Sequence, residues 1–186
     1  MVVLGRILGS FVIAIALLGV RAHPPALAAT CVAAGVTWQV TITGSGTITG
    51  TPGNDVILGS AGRDVIDTGT GNDVVCPTAG NDDITLGDGN DTGDGGTGLD
   101  TIRGGNGQDL IVGGADNDSL TGNDGDDVAY GGDGDDKMVG GNGNDRLYGD
   151  AGRDRQYGQG GDDRLYGMDG DDSQSANAGK DYLSGG

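Results

Sequence analysis

Aspartate is the residue type whose number and spacing in this chain could do chemistry. It recurs at every ninth position as Asp55, Asp64, Asp73, Asp82, Asp91, Asp100, Asp109, Asp118, Asp127, Asp136, Asp145, Asp154, Asp163, Asp172 and Asp181, fifteen members without a gap. All 28 acidic residues are Asp and none is Glu. Carboxylates can move protons in pairs, or they can gather a hard cation. The first use has little behind it. The single histidine, His23, lies close to the N-terminus, and there is no H-E-x-x-H, no G-x-S-x-G and no Glu. The pairs Asp82-Asp83 and Asp162-Asp163 fall on the nine-residue register and its neighbour rather than on a spacing of their own. No enzyme is expected. The second use follows from the period, because equivalent carboxylates on successive turns repel. At about 5 Å that repulsion is roughly 1 kcal/mol in water and more where the dielectric is lower.

The residues around each Asp say what must position it. A Gly stands two residues before fourteen of the fifteen, from Gly53 to Gly179, with Asp116 as the exception. Two residues after comes an apolar position, as in Ile57, Ile66, Val75, Ile84, Ile102, Ile111, Leu120, Met138 and Leu147, interrupted by Gly93, Gln156 and Gln174. The unit reads G-x-x-G-x-D-x-U-x with U apolar, and its fullest copies are Gly95–Asp100, Gly104–Asp109, Gly131–Asp136 and Gly140–Asp145. The 42 glycines suit loops that need positive φ and close backbone approach, and Asp tolerates such turns. Loops that begin at Thr68, Pro77, Leu86 and Ala176 lack the first Gly, so the middle, Gly95–Asp145, has the strongest set.

This pattern resembles the haemolysin-type calcium-binding nonapeptide repeat, the RTX repeat, over Gly50–Gly186. The resemblance implies an all-β fold, a right-handed parallel β-roll solenoid of about fifteen repeats. Two repeats make one turn, and each repeat is a six-residue loop plus a three-residue strand. About seven and a half turns at the strand spacing give a length of roughly 36 Å. The U residues face inward from two sheets. By the same resemblance, Ca²⁺ ions sit between stacked loops, each held by Asp carboxylates and by backbone carbonyls of the Gly-rich loops. All fifteen aspartates are candidate ligands, and about thirteen loop pairings are available. Mg²⁺ suits such sites less, since it demands a tighter octahedron.

Three segments are expected: a secretory signal at 1–28, a lead-in or cap at 29–49 and the β-roll at 50–186. The signal reading rests on Arg6, the apolar run Ile7–Val20 and the small-x-small site Ala26-Leu27-Ala28. The run has 14 residues, short for a membrane span. Alternation in Thr37–Ile42 predicts a capping strand, with Trp38 as a lid or a binding aromatic. The two cysteines, Cys31 and Cys76, are expected to form a disulfide in an exported chain, contributing about 3–4 kcal/mol. Gln156 and Gln174 in the second sheet predict a frayed or covered C-terminal end.

A net charge of −18 argues against nucleic acid and anionic membrane as partners. With high charge and few apolar residues, the chain should stay unfolded where calcium is scarce and fold where it is plentiful. The expected protein is a secreted, non-catalytic, calcium-binding β-roll of the cell surface or matrix. An alternative is a carbohydrate-binding or adhesion module. Tyr130, Tyr148 and Tyr166 stand 18 apart, with Arg146 and Arg164 beside the last two, and could form a face for extracellular polysaccharide. The outer positions Val112, Thr121, Tyr130 and Val139 are too varied for a flat ice-binding array.

Overall fold

The computed structural model describes residues 32–33, 36–37, 40–76 and 79–186. The signal segment 1–28, Cys31 and Trp38 lie outside the described residues, and so does the Cys31–Cys76 bridge. Cys76 itself is buried. Among the described residues there is no helix, and none long and apolar enough to cross a membrane.

Two parallel sheets of eight and nine strands carry the chain, which passes from one to the other at each repeat. Thr101–Asn106 pairs with Asp83–Asp88 before it and Ser119–Asp124 after it, always 18 residues apart. Leu110–Ala115 does the same with Thr92–Thr97 and Val128–Asp133 in the other sheet. Two nonapeptides therefore make one turn of a β-roll. From Asp83 onward most strands have six residues rather than the three expected. The reason is the second glycine of the loop: residues such as Gly105 (φ 125°) and Gly114 (φ 118°) turn left-handed while staying in the ladder, so pairing runs on into what looked like loop.

The roll also starts before the fifteen repeats. Ile42–Thr43 pairs in parallel with Val56–Leu58, and Thr47–Thr49 with Val65–Asp67. These two strands, assigned to the lead-in from sequence, belong to the sheets and bring the solenoid to about eight turns. Ile48 fills the same inward position as Ile66 although Gly46 replaces the Asp. The first turn is short, with Ile42 opposite Ile57 at a spacing of 15. Upstream, Val32–Ala33 and Val36–Thr37 form a separate antiparallel pair.

The core is the inward column of both sheets: Ile57, Val75, Ile111 and Leu147 meet Ile66, Ile84, Ile102 and Met138, all essentially without solvent contact. The gap at Gly93 has a partner. Leu86, where a loop glycine was expected, is fully buried, and a methyl on Gly93 would lie 3.1 Å from its Cδ1. One irregularity thus fills the other. At the C-terminal end the eight-stranded sheet continues to Ala178 and the nine-stranded sheet to Ser184. Gln156 is fully buried and donates to the Tyr166 carbonyl at 2.9 Å; Gln174 donates to Gln156 Oε1 at 2.8 Å and to the Ser184 carbonyl at 3.2 Å. The two amides replace the apolar stack with a hydrogen-bonded one.

Candidate metal centres

Each repeat aspartate does structural work before any ligand is considered. From Asp64 to Asp181, Oδ1 accepts the backbone N–H of the residue 18 earlier. Examples are Asp82 N–H to Asp100 at 2.7 Å, Asp100 N–H to Asp118 at 2.8 Å and Asp118 N–H to Asp136 at 2.7 Å. The column thus hands one bond from turn to turn. This role was missed in the sequence reading, although the exclusive use of Asp signalled it: the carboxylate must reach a fixed main-chain donor, and one further methylene would overshoot.

The second oxygen divides the series. In Asp55, Oδ2 accepts Thr51 N–H at 2.6 Å and the Thr51 hydroxyl at 2.9 Å. In Asp64, Oδ2 accepts Ser60 N–H at 2.7 Å and its hydroxyl at 3.1 Å. From Asp73 to Asp172, in twelve consecutive repeats, Oδ2 is buried with no hydrogen-bond partner. The residue four before the Asp accounts for the change. It is Thr51 or Ser60 in the first two loops. Later it is left-handed: Gly87 (φ 94°), Gly96 (88°), Gly105 (125°), and even Asn123 (80°), Asp150 (70°) and Met168 (75°). Asp116 adopts the same kind of backbone (φ 78°) in the place of a turn glycine.

The first glycine of the loop then leaves a space beside that orphan oxygen. A methyl on Gly95 would run into Asp100 Oδ2 and lie 2.6 Å from the Gly113 carbonyl oxygen. Gly104 faces Asp109 and the Gly122 carbonyl in the same way; Gly113 faces Asp118 and Gly131; Gly122 faces Asp127 and Gly140. Gly131 with Asp136 and Gly149, and Gly149 with Asp154 and Gly167, complete six such cradles. The glycine carbonyls were expected only as a class, and the structure gives them numbers. Thr68 ends this geometry at Asp73 by placing its hydroxyl on the Leu86 carbonyl, and Leu86 ends it at Asp91 by turning into the core. Asp181 is only partly buried and is not among the orphaned carboxylates. Among the described residues no three Asp, Glu, His or Cys side chains converge, so any ion here needs main-chain oxygens beside the carboxylates.

Burial without a donor disfavours the charged form. Loss of water pushes Asp118 up to about 8, helped by the charges of Asp100, Asp136 and Asp116 and opposed by the Asp100 N–H. Asp100, Asp109, Asp136 and Asp145 are pushed to about 7, and Asp91, Asp127 and Asp154 to about 6, again chiefly by burial. Asp82 and Asp163 move the same way. These are the metal-free chain's values. A hard cation removes the cause, because it supplies the positive charge that the buried oxygens lack. Donors that are all oxygen, with one anionic group per cradle and flexible glycine carbonyls, suit Ca²⁺.

The tyrosines stand elsewhere, on the outer face of the nine-stranded sheet. Tyr130 and Tyr148 stack at 4.8 Å and 10°, Tyr148 and Tyr166 at 4.8 Å and 4°, and Tyr182 joins Tyr166 at a tilt of 49°. Arg146 and Arg164 are cross-strand neighbours on the same face, both exposed. The ring faces are largely covered by one another.

No curated protein matches the chain. The RTX calcium-binding nonapeptide repeat matches it at residues 41–75, 49–84, 78–93, 85–120, 121–156 and 157–186, which reaches back to the early strands as well as forward to the last. A β-roll with 18 residues per turn, its aspartates stacked along the turns and their spare oxygens turned toward glycine cradles, is what such repeats would build, and the chain belongs to the RTX calcium-binding repeat family.

Proposed function

We propose that this protein is a secreted, non-catalytic calcium-binding β-roll that folds when it meets calcium outside the cell, and that it serves a structural role at the cell surface or in the matrix. The observation that carries the reading is the run of twelve buried Oδ2 atoms without a donor. Several kcal/mol of desolvation burden such a set unless cations neutralise it. Ca²⁺, when bound, supplies that charge. The residues that would hold it are the aspartates from Asp73 to Asp172, with the strongest sites at the six glycine cradles from Asp100 to Asp154. The chain's own part is to fix Oδ1 on the preceding turn, so that Oδ2 alone is left for the ion. In a cytosol poor in calcium the chain stays open, which suits export through a general secretory pore directed by residues 1–28. Outside, binding and folding become one event.

Circular dichroism during a calcium titration tests this. A coil in EDTA that turns cooperatively to β near millimolar calcium, with several ions bound per chain, is the expected result. An unchanged β signal in EDTA at neutral pH would defeat the coupling. The second reading, a polysaccharide-binding face at Tyr130, Tyr148, Tyr166, Arg146 and Arg164, draws less from the geometry, because the rings spend their faces on each other. If it holds, Tyr148→Ala weakens retention on immobilised polysaccharide; equal retention rejects it.

A further inference from the structure

Three consecutive repeats carry Arg one residue and Tyr three residues after the repeat Asp: Arg146 and Tyr148, Arg155 and Tyr157, Arg164 and Tyr166. The first and third pairs share the nine-stranded sheet. The middle pair stands on the outer face of the eight-stranded sheet, where Arg155 and Tyr157 flank the inward Gln156. Its surroundings differ. Tyr157 lies between Val139 and Ser175 in the ladder, so no second ring covers it. Ser175 is small and exposed, which leaves room over the ring on that side. Arg155 lies between Lys137 and Ser173. Both Arg155 and Lys137 are exposed, and among the described residues neither has a carboxylate within salt-bridge distance. Arg103, on the same sheet, instead holds Asp83 at 2.7 Å. Like charges on adjacent strands repel. A hollow beside Arg155 takes in Asn117, Asp135, Arg153, Asp171 and Ser173. There Arg153 is already paired with Asp135 at 2.7 Å, while the Asp171 carboxylate and the Ser173 hydroxyl have no hydrogen-bond partner among the described residues.

We infer that this face binds a carboxylated sugar of an anionic polysaccharide, with the sugar ring on Tyr157, the carboxylate between Arg155 and Lys137, and hydroxyls toward Ser173 and Asp171. Each group selects a different part of one ligand. Two unpaired cations on adjacent strands, about 4.8 Å apart, suit a single anionic group held between them. The uncovered tyrosine stands two residues along the strand, roughly 7 Å away, and offers a flat apolar surface to a ring. In the hollow, hydroxyl groups would donate to the Asp171 carboxylate and accept from Ser173. A sugar acid carries all three features. The distribution of charge favours a sparsely charged polymer. Beyond Asp136 the chain has six Lys and Arg against four Asp outside the repeat series, Asp150, Asp162, Asp169 and Asp171. From Gly50 to Asp136 it has two against nine. A glycan with one carboxylate in every one or two sugars reaches the cations and avoids most of those acids. A nucleic acid, charged at every nucleotide, does not. The face is separate from the ladder of Tyr130, Tyr148 and Tyr166 and does not rest on it; it needs only the folded roll.

The test is retention of the calcium-loaded chain on immobilised hyaluronan, a glucuronate polymer that calcium does not gel, beside neutral dextran and oligo(dT). The chain should be retained on hyaluronan and on neither of the others. Arg155→Gln and Tyr157→Ala should each weaken that binding about fivefold or more, and Tyr157→Phe, which keeps the ring, should preserve it. Arg103→Gln removes the same charge from the same sheet away from the hollow and should leave binding unchanged. Circular dichroism in calcium shows whether each chain is folded, so loss of the roll and loss of the site are told apart. No retention of the folded parent on hyaluronan overturns the inference. Weakening by Arg155→Gln but not by Tyr157→Ala reduces the contact to charge alone and overturns it too. Loss at Tyr148→Ala in place of Tyr157→Ala moves the site to the nine-stranded sheet, and tighter binding to oligo(dT) replaces the sugar with a base; either result overturns it.

Discussion

The first two repeat loops and the loops from Asp73 onward share one spacing and do opposite things with it. In the first two, Thr51 and Ser60 donate a backbone N–H and a hydroxyl to the aspartate's second oxygen, so the loop closes on itself. In the later loops the residue at that place, wherever it is among the described residues, is left-handed, and the oxygen is buried without a partner. The period therefore defines where an aspartate stands. What it does there is decided four residues earlier, by whether the backbone can take positive φ, and five residues earlier, by whether a glycine leaves room. The early loops form an end that needs no metal, and the later ones a body that is incomplete without it.

Metal removal should break this contrast most widely. In the metal-free fold eight carboxylates, from Asp91 to Asp154, titrate between about 6 and 8. In the unfolded chain they titrate near 3.9. Between those values the folded state binds more protons, so its stability falls as pH rises. The sign is opposite to that of a salt-bridged Asp. In EDTA the β signal should be strongest near pH 4, fade as pH rises through 6 to 8, and return at pH 7.5 only when calcium is added. Calcium affinity should rise over the same interval as protons leave. A metal-free chain more folded at pH 8 than at pH 4 would contradict the assignment of buried, donor-free oxygens.

A single glycine exchanged in each region comes next. Gly53 and Gly107 both stand two residues before a repeat Asp. A methyl on Gly53 meets nothing closer than 3.9 Å, whereas on Gly107 (φ 129°) it collides with the Gly89 carbonyl of the turn below. Gly107→Ala should cost about 3 kcal/mol or more at saturating calcium, and Gly53→Ala less than about 0.5 kcal/mol. Denaturant melts compare the two directly; equal losses would mean that the regions share one loop conformation after all.

Asp→Asn separates the regions by the kind of effect rather than its size. At Asp118 the amide keeps an oxygen for Asp100 N–H and turns its NH₂ toward the cradle. The calcium midpoint should rise about threefold or more and the number of bound ions should fall. At Asp64 either orientation sets an NH₂ against an N–H, that of Gly46 at 2.6 Å or of Ser60 at 2.7 Å. Asp64→Asn should lose about 1–2 kcal/mol of stability with the ion count unchanged. Calorimetric stoichiometry distinguishes these outcomes, and an ion lost at Asp64→Asn would erase the boundary between the regions.

The fold was legible because its instructions are repeated. Ile57, Ile66 and Val75 keep the inward position and Gly-x-Asp keeps the turn, and the family resemblance that these repeats carry implied the two sheets. The start of the roll was obscured because Gly46 breaks the Asp series, although Ile48 continues the apolar one and the latter controls packing. The longer strands were hidden because a glycine pair such as Gly104-Gly105 reads as loop, while its left-handed member still pairs with Asn123. Leu86 looked like damage to a loop, and only three-dimensional contact shows that it fills the void of Gly93. The candidate site was legible in its aspartates but not in its subdivision. Thr51 and Ser60 are ordinary loop residues by type, and their effect depends on a φ angle that no spacing reports.

Thr51→Ala gives the smallest effect and isolates that last point. The substitution removes the hydroxyl 2.9 Å from Asp55 Oδ2 and leaves the N–H at 2.6 Å. Thr51 is exposed, so no cavity forms. The expected loss is about 0.5–1 kcal/mol, the net value of one hydrogen bond, read as a small fall in thermal midpoint. Alanine, like threonine, avoids positive φ, so the loop should stay closed and bind no additional calcium. Thr51→Gly lifts that restriction, and Gly50 already stands one residue before it, as Gly104 does before Gly105. If backbone freedom four residues ahead of the Asp is what opens a site, Thr51→Gly should lower stability in EDTA more than Thr51→Ala and recover the difference as calcium is added. Equal behaviour of the two variants would show that the hydroxyl, and not the backbone, keeps the first loop closed.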